Sequence, residues 1–154
     1  MVKKRVLFMC IHNAARSQMA EGLFRQFYGD SFDVYSAGSE PKHVDPLAIR
    51  CMEKIGIDIS NQRSKSLGEF NGQTFDYVIT VCGNKYNACP LFEGGKKYFK
   101  QEFEDPSTYE GTEEEKLELF NKLRNELKFW LDDLYYSYML EEGHFSVDEV
   151  EGCC

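Results

Sequence analysis

A parallel α/β sheet of four strands in the order 2-1-3-4, sandwiched between layers of helix, is the fold class this chain predicts. Three observations carry it. Short β-like runs alternate with amphipathic helical segments, as a parallel sheet with crossover helices requires. The first apolar run, Val6-Leu7-Phe8-Met9, passes directly into a polar loop and then a helix. Right-handed crossovers most simply set the first and third strands side by side, and that yields the strand order.

The elements follow in turn. Lys4 to Met9 is the first strand, and the helix after it runs from about Ala14 to Tyr28, where Gly29 stops it. Phe32 to Ser36 is the second strand. A second helix starts near Pro46, a favoured first helical position, and stops before Gly56. Phe75 to Val81 is the most β-like run, and Lys97 to Lys100 is a weaker fourth strand. Thr112-Glu113-Glu114-Glu115 has the Thr-x-x-Glu form of a capping box and opens the longest helix. Along that helix Leu117, Phe120, Leu123, Leu127, Trp130, Leu131 and Leu134 recur at three- and four-residue steps, so one face should dock on the sheet. Tyr135-Tyr136-Ser137-Tyr138 continues it as packing residues. Residues 1–140 read as one domain, and 141–154 as an acidic, loosely held tail.

Bulk properties narrow the function. A chain of 154 residues suits one domain with a real core, and 42% hydrophobic with 29% charged residues is ordinary for a soluble globular protein. A net charge of -8 argues against nucleic acid, whose phosphates need a cationic face. Any anionic substrate must therefore be drawn by local donors. Met1-Val2-Lys3-Lys4-Arg5 has the charge of a signal peptide, but the apolar run after it ends at Ile11, too short for one. No stretch reaches membrane-spanning length. The expectation is a cytoplasmic protein whose six cysteines are thiols, with nothing calling for more than a monomer.

The chemistry concentrates first in Cys10-Ile11-His12-Asn13-Ala14-Ala15-Arg16-Ser17. The first amides of a helix lack internal partners, and the macrodipole adds partial positive charge there. The loop from Ile11 to Arg16 is thus a candidate cradle for an oxyanion, and the planar Arg16 fork can grip a tetrahedral anion bidentately. The same positive field favours the Cys10 thiolate as a nucleophile at neutral pH, and Ser17 can donate its hydroxyl to it. Cysteine and arginine at this spacing are weak evidence alone. The strand before, the helix after and the adjacent serine make the combination specific.

Two more sites project to the same edge. Cys10 ends strand one, Cys82 ends strand three, and Asp105 follows strand four, so all three converge where ligands bind in such sheets. Cys82 and Cys89 flank Gly83-Asn84-Lys85-Tyr86-Asn87-Ala88. A helix across that segment would part their Cα atoms by about 10.5 Å, beyond the roughly 7 Å reach of a disulfide. A bond between them would then require the segment to loop or unwind. Pro106 restricts Asp105 to extended backbone angles, and a carboxyl beside a bound oxyanion keeps its proton, as a general acid must. His12 reads as an exposed loop side chain whose backbone amide matters, His43 and His144 as surface residues, and Cys51 as a small core residue. Three histidines and this cysteine spacing make a structural metal site improbable. Cys153-Cys154 reads as two accessible thiols, because a bond between adjacent cysteines is strained.

Together these residues resemble the thioredoxin-coupled arsenate reductases, built on the low-molecular-weight tyrosine phosphatase fold. The resemblance spans roughly residues 4 to 136 and is carried by Cys10 through Glu21, Ser36-Ala37-Gly38, Val81-Cys82, Cys89-Pro90 and Asp105-Pro106. It implies reduction of arsenate to arsenite, in the service of arsenical resistance, with thioredoxin as reductant and no cofactor. Cys10 would attack the oxyanion with Asp105 assisting the departure of hydroxide. Cys82 would then attack Cys10, and Cys89 would take over Cys82 to leave a Cys82–Cys89 disulfide for thioredoxin. It further implies that Asn13, Glu21 and Ser36 support the loop. Some members bind potassium through the equivalents of these three plus an aspartate, and Lys65 stands here in the aspartate's place. The usual glycine at the third loop position is His12, which bears on the loop's access to left-handed angles, and Ala15 replaces a frequent cysteine. Two other readings of the same residues stay open. One is a tyrosine phosphatase with a Cys10 phosphocysteine intermediate, and the other a non-catalytic oxyanion-binding or thiol redox sensor.

Overall fold

The computed structural model describes residues 2–83 and 89–140. Four parallel strands form one sheet in the order β2-β1-β3-β4. They are β1 (Lys4–Cys10), β2 (Phe32–Gly38), β3 (Phe75–Thr80) and β4 (Gly95–Lys100). The helices are α1 (Arg16–Tyr28), α2 (Pro46–Glu53) and α3 (Glu113–Leu134), the last running on through a π-helical turn at Tyr135–Met139. Short 3₁₀ turns at Leu67–Phe70 and Pro106–Thr108 have no counterpart in the sequence periodicity, being too brief to leave one.

Alternation along β1 explains its central place. Val6, Phe8 and Cys10 join the larger core with side chains of α1, α2 and α3, while Leu7 and Met9 join a smaller core on the opposite face. That second face is closed, among the described residues, by the Leu67–Phe70 turn and by edge-to-face contacts among Tyr35, Phe70, Phe75 and Phe92. Leu117, Phe120, Leu123, Leu127, Leu131 and Leu134 are all buried, so the apolar stripe of α3 does face the sheet. The Thr112 capping box forms, with both reciprocal hydrogen bonds made. The aromatic cluster packs as its composition predicts, with Tyr135 stacked on Tyr28 at 4.0 Å between ring centroids. β4 is an edge strand, and its Lys96, Lys97 and Tyr98 are exposed.

Element ends differ from expectation at the point that matters most. α1 begins at Arg16 rather than Ala14, because Asn13 turns the chain at φ 48° and Ala15 sits at φ -128°, ψ -73°, outside helical angles. The left-handed residue is thus Asn13, not His12, and asparagine tolerates that region better than most side chains. β2 extends two residues past Ser36 to Gly38, which pairs with Cys10. A Cβ at Gly38 would lie 2.5 Å from the Ile11 carbonyl oxygen and 2.9 Å from the Asn13 nitrogen, so only glycine lets the loop fold back over β2. The acidic tail, with His144, Cys153 and Cys154, falls outside the described residues.

Candidate active site

At the carboxyl edge of the sheet a cleft of about 200 Å³ has Cys10, Arg16 and Asp105 in its lining, together with His12, Ala14, Ala15, Lys42, His43, Asp45 and Ser107. The loop above β1 is arranged to receive negative charge. The carbonyls of Ile11, His12 and Ala14 turn away and accept backbone hydrogen bonds from Glu40, Lys42 and Asp45. The amides of His12 through Ala15 have no acceptor among the described residues. Donors left over inside a tight loop at a helix start are what an anion needs.

Beneath the loop, the Asn13 amide makes four hydrogen bonds. Its nitrogen donates to Ser17 Oγ at 2.7 Å and to Ser36 Oγ at 2.9 Å. Its oxygen accepts from Gln18 Nε2 at 2.9 Å and from the Lys65 backbone nitrogen at 2.8 Å. That exhausts the capacity of a primary amide, and Asn13 is fully buried. Ser17 Oγ, accepting from Asn13, stands 2.8 Å from Cys10 Sγ, so its own proton is free to point at the sulfur. Ser36, also accepting from Asn13, donates to Glu21 Oε1.

Glu21 is 5% exposed, and a buried carboxylate needs counter-charge. Arg25 supplies it at 2.5 Å and Lys65 at 3.8 Å. Burial pulls the Lys65 ammonium below its ordinary value, and the Glu21 carboxylate pulls it back up. Lys65 Nζ also donates to the Arg63 carbonyl at 2.7 Å.

Arg16 is 4% exposed. It donates to the Phe103 carbonyl at 3.1 Å and lies 3.7 Å from Asp105 Oδ2. Asp105 has the extended angles that Pro106 imposes, φ -90° and ψ 105°, and caps the 3₁₀ turn through Ser107. Its Oδ1 accepts from the Ser107 hydroxyl at 2.6 Å, which leaves Oδ2 toward Arg16.

Cys82 follows Val81, whose amide donates to the Met9 carbonyl at 2.9 Å, so β3 delivers its thiol beside Cys10. Burial pushes the Cys82 thiol well above its ordinary value. A hydrogen bond to Cys89 and the nearness of Cys89 and Cys10 act in the same direction, against Arg16. Cys89 thus stands near Cys82, and both are free thiols. The expected need for the segment between them to loop or unwind falls on residues 84–88. The spacer, 84–88, lies outside the described residues. Gly83 is pressed on the backbone of Phe103, where a Cβ would stand 2.1 Å from the carbonyl oxygen.

The structure therefore gathers Cys10, Arg16, Ser17, Cys82, Cys89 and Asp105 at one edge, with Asn13, Glu21, Ser36 and Lys65 in a connected layer below. His12 differs from its expectation. It is half-buried, with Nδ1 3.0 Å from the Glu40 carbonyl oxygen. His43 is exposed but lines the cleft, as does Lys42. Sequence reasoning missed both, since nothing in the pattern reveals that residues 39–45 fold over the loop. Gln18 was missed too. It bridges the Asn13 and Arg63 carbonyls, and a glutamine in the first turn of a helix carries no distinguishing signal. Cys51 is a core residue, its thiol pushed up to about 11 chiefly by burial.

The family model of the low molecular weight phosphotyrosine protein phosphatases matches residues 5–137. The chain belongs to this family. Within it, the arsenate reductase of Halalkalibacterium halodurans is 43% identical over 127 residues, spanning 82% of this chain and 91% of that protein. A solved structure described as an arsenate reductase in the phosphate binding state superposes with a TM-score of 0.73 at 36% identity, over 85% of this chain and 95% of that one. A thioredoxin-dependent arsenate reductase of Corynebacterium glutamicum gives a TM-score of 0.61 at 30% identity, over 88% of this chain and 63% of that one.

Replacing Asn13 by Ala removes the donor to the Ser17 and Ser36 hydroxyls, leaves the Lys65 nitrogen without its acceptor and strains a left-handed backbone. Urea unfolding of Asn13→Ala is expected to register a loss on the order of 3 kcal/mol, with iodoacetamide labelling of Cys10 slowed.

Proposed function

We propose that this protein is an arsenate reductase that works through Cys10, Cys82 and Cys89 and is regenerated by thioredoxin in the cytoplasm. One observation carries the reading: Cys82 follows the strand that pairs with β1 beside Cys10, and Cys89 packs against the cluster that holds both, near enough to Cys82 to act on its thiol. A phosphatase needs Cys10, Arg16 and Asp105 but has no use for that contact. An oxyanion-binding module needs none of the thiols, and a thiol redox sensor would use the outer pair but not Asp105 beside the anion loop. The reductase names of the relatives and the thioredoxin dependence of the Corynebacterium glutamicum protein support the same choice. That no described helix is long and apolar enough to cross a membrane is consistent with the cytoplasmic part of the reading.

Arsenate enters the loop, its oxygens taken by the loop amides and the Arg16 fork, where the donors are already in place. The Cys10 thiolate, with Ser17 donating to it, attacks arsenic and forms a sulfur–arsenic bond. The oxygen that departs takes a proton from Asp105 and leaves as water. Cys82 then attacks Cys10 Sγ. The sulfur–arsenic electron pair goes to arsenic, which leaves as arsenite, and a Cys10–Cys82 disulfide forms. Cys89 attacks Cys82 Sγ, frees Cys10, and leaves a Cys82–Cys89 disulfide. The thioredoxin dithiol reduces that disulfide and completes the cycle.

Below the loop, Lys65 stands 3.8 Å from Glu21, so the layer carries its own positive charge in place of the cation that the resemblance implies for some relatives. Activity is expected to be the same in potassium and sodium salts at equal ionic strength. A clear rise with potassium in a steady-state assay would overturn this role for Lys65.

The raised Cys82 value sets a pH dependence. An acid whose value is raised stays protonated at neutrality, and its thiolate fraction grows about tenfold per pH unit until that value is passed. Rapid-quench measurement of the Cys10–Cys82 disulfide between pH 7 and 9 should therefore find this step quickening, whereas arsenate binding should not follow the same slope.

Cys89→Ser separates the readings. It should permit a single turnover, ending with Cys10 and Cys82 paired, and abolish multiple turnover with thioredoxin by at least a hundredfold. Hydrolysis of p-nitrophenyl phosphate should be retained. Undiminished thioredoxin-linked reduction by this variant, followed through NADPH oxidation with thioredoxin reductase, would end the relay.

A further inference from the structure

We infer that Lys42 and His43 decide which oxyanions reach Cys10, forming a charged mouth without apolar rings that favours free inorganic oxyanions over phosphate esters of aromatic alcohols. The inference rests on the Cys10 cleft being the substrate site, as proposed above.

Three backbone bonds strap the segment after β2 across the loop: Glu40 to the Ile11 carbonyl at 2.8 Å, Lys42 to His12 at 3.1 Å and Asp45 to Ala14 at 2.8 Å. Ser64 Oγ ties the strap again, accepting from the Lys42 amide at 3.1 Å and donating to the His12 carbonyl at 3.0 Å. Lys42 and His43 are exposed, yet their backbone is fixed and both line the cleft. Neither side chain has a partner among the described residues. The carboxylates beside them are committed. Asp45 caps α2 through the Leu47 amide at 2.9 Å, and Asp105 is held by Ser107 and Arg16. What remains uncommitted at the mouth is a lysine and an imidazole, in a chain whose net charge of -8 repels anions at long range.

The same lining lacks what an aromatic ester needs. A phenyl group binds by burying its faces on apolar or aromatic walls. Among the described residues around the cleft none carries a phenyl, phenol or indole ring, and Ala14 and Ala15 offer only methyl groups. A tetrahedral anion fits the cleft of about 200 Å³ whole. An aryl ester would leave its ring in water between Lys42 and His43.

The test is a Lys42→Ala, His43→Ala double variant assayed with arsenate over a range of sodium chloride concentrations. We expect KM to rise about fivefold, the scale of one screened charge contact, with little change in kcat and a flatter dependence of KM on salt. His43→Trp should act oppositely on an ester, raising kcat/KM for p-nitrophenyl phosphate severalfold while lowering that for arsenate. Titrating the Cys10→Ala protein with inorganic phosphate, with and without the double substitution, reads the mouth without turnover. Equal phosphate affinity and equal salt dependence in the two proteins would overturn the inference, whatever the arsenate assay gives. A severalfold weakening of phosphate upholds it even if arsenate were not reduced, and that result would count against the reductase reading alone.

Discussion

Between the end of β1 and the start of α1 the backbone must leave strand geometry, turn through a left-handed residue and enter a helix with its first amides unspent. The Asn13 side chain holds that path, because its amide ties the loop at once to α1, to β2 and to the segment carrying Lys65. The two hydroxyls it donates to face opposite ways in function. Ser17 passes its proton toward Cys10, and Ser36 passes its own toward Glu21. One residue thereby links the geometry of the nucleophile to the charge balance beneath it. A buried network of this kind specifies one arrangement when every member is satisfied, and among the described residues no buried side-chain nitrogen or oxygen lacks a partner.

The charges around the loop are divided by depth. Glu21 is shut in with Arg25 and Lys65, so its negative field is cancelled before it reaches the cleft. Arg16 is held from behind by a carbonyl rather than by a full carboxylate contact, Asp105 standing 3.7 Å away. Its positive charge therefore remains available to an incoming anion. The Phe103 carbonyl that steadies Arg16 belongs to the residue against which Gly83 is packed. The arginine and the start of the outer-thiol segment consequently share one backbone support.

Much of this was legible in the chain because periodicity and caps record it directly. The alternation in β1, the stripe on α3 and the Thr112 capping box leave a signal in residue order, and the convergence of Cys10, Cys82 and Asp105 follows from strand order alone. What escaped were features made by distant segments meeting. The left-handed angle at Asn13 instead of His12 is set by hydrogen bonds to Ser36 and Lys65, which no local window contains. The strap that brings Lys42 and His43 to the cleft is held by loop carbonyls thirty residues earlier. The nearness of Cys82 to Cys89 is likewise made by the fold and leaves no signal in residue order.

The edge of the sheet carries a last consequence. β4 presents Lys96 and Lys97 along an open flank of backbone donors and acceptors, and Lys100 closes the same strand. Two such flanks meeting would set lysine against lysine at strand spacing, where like charges repel. Self-templating into ribbons is thereby disfavoured along this edge of the sheet.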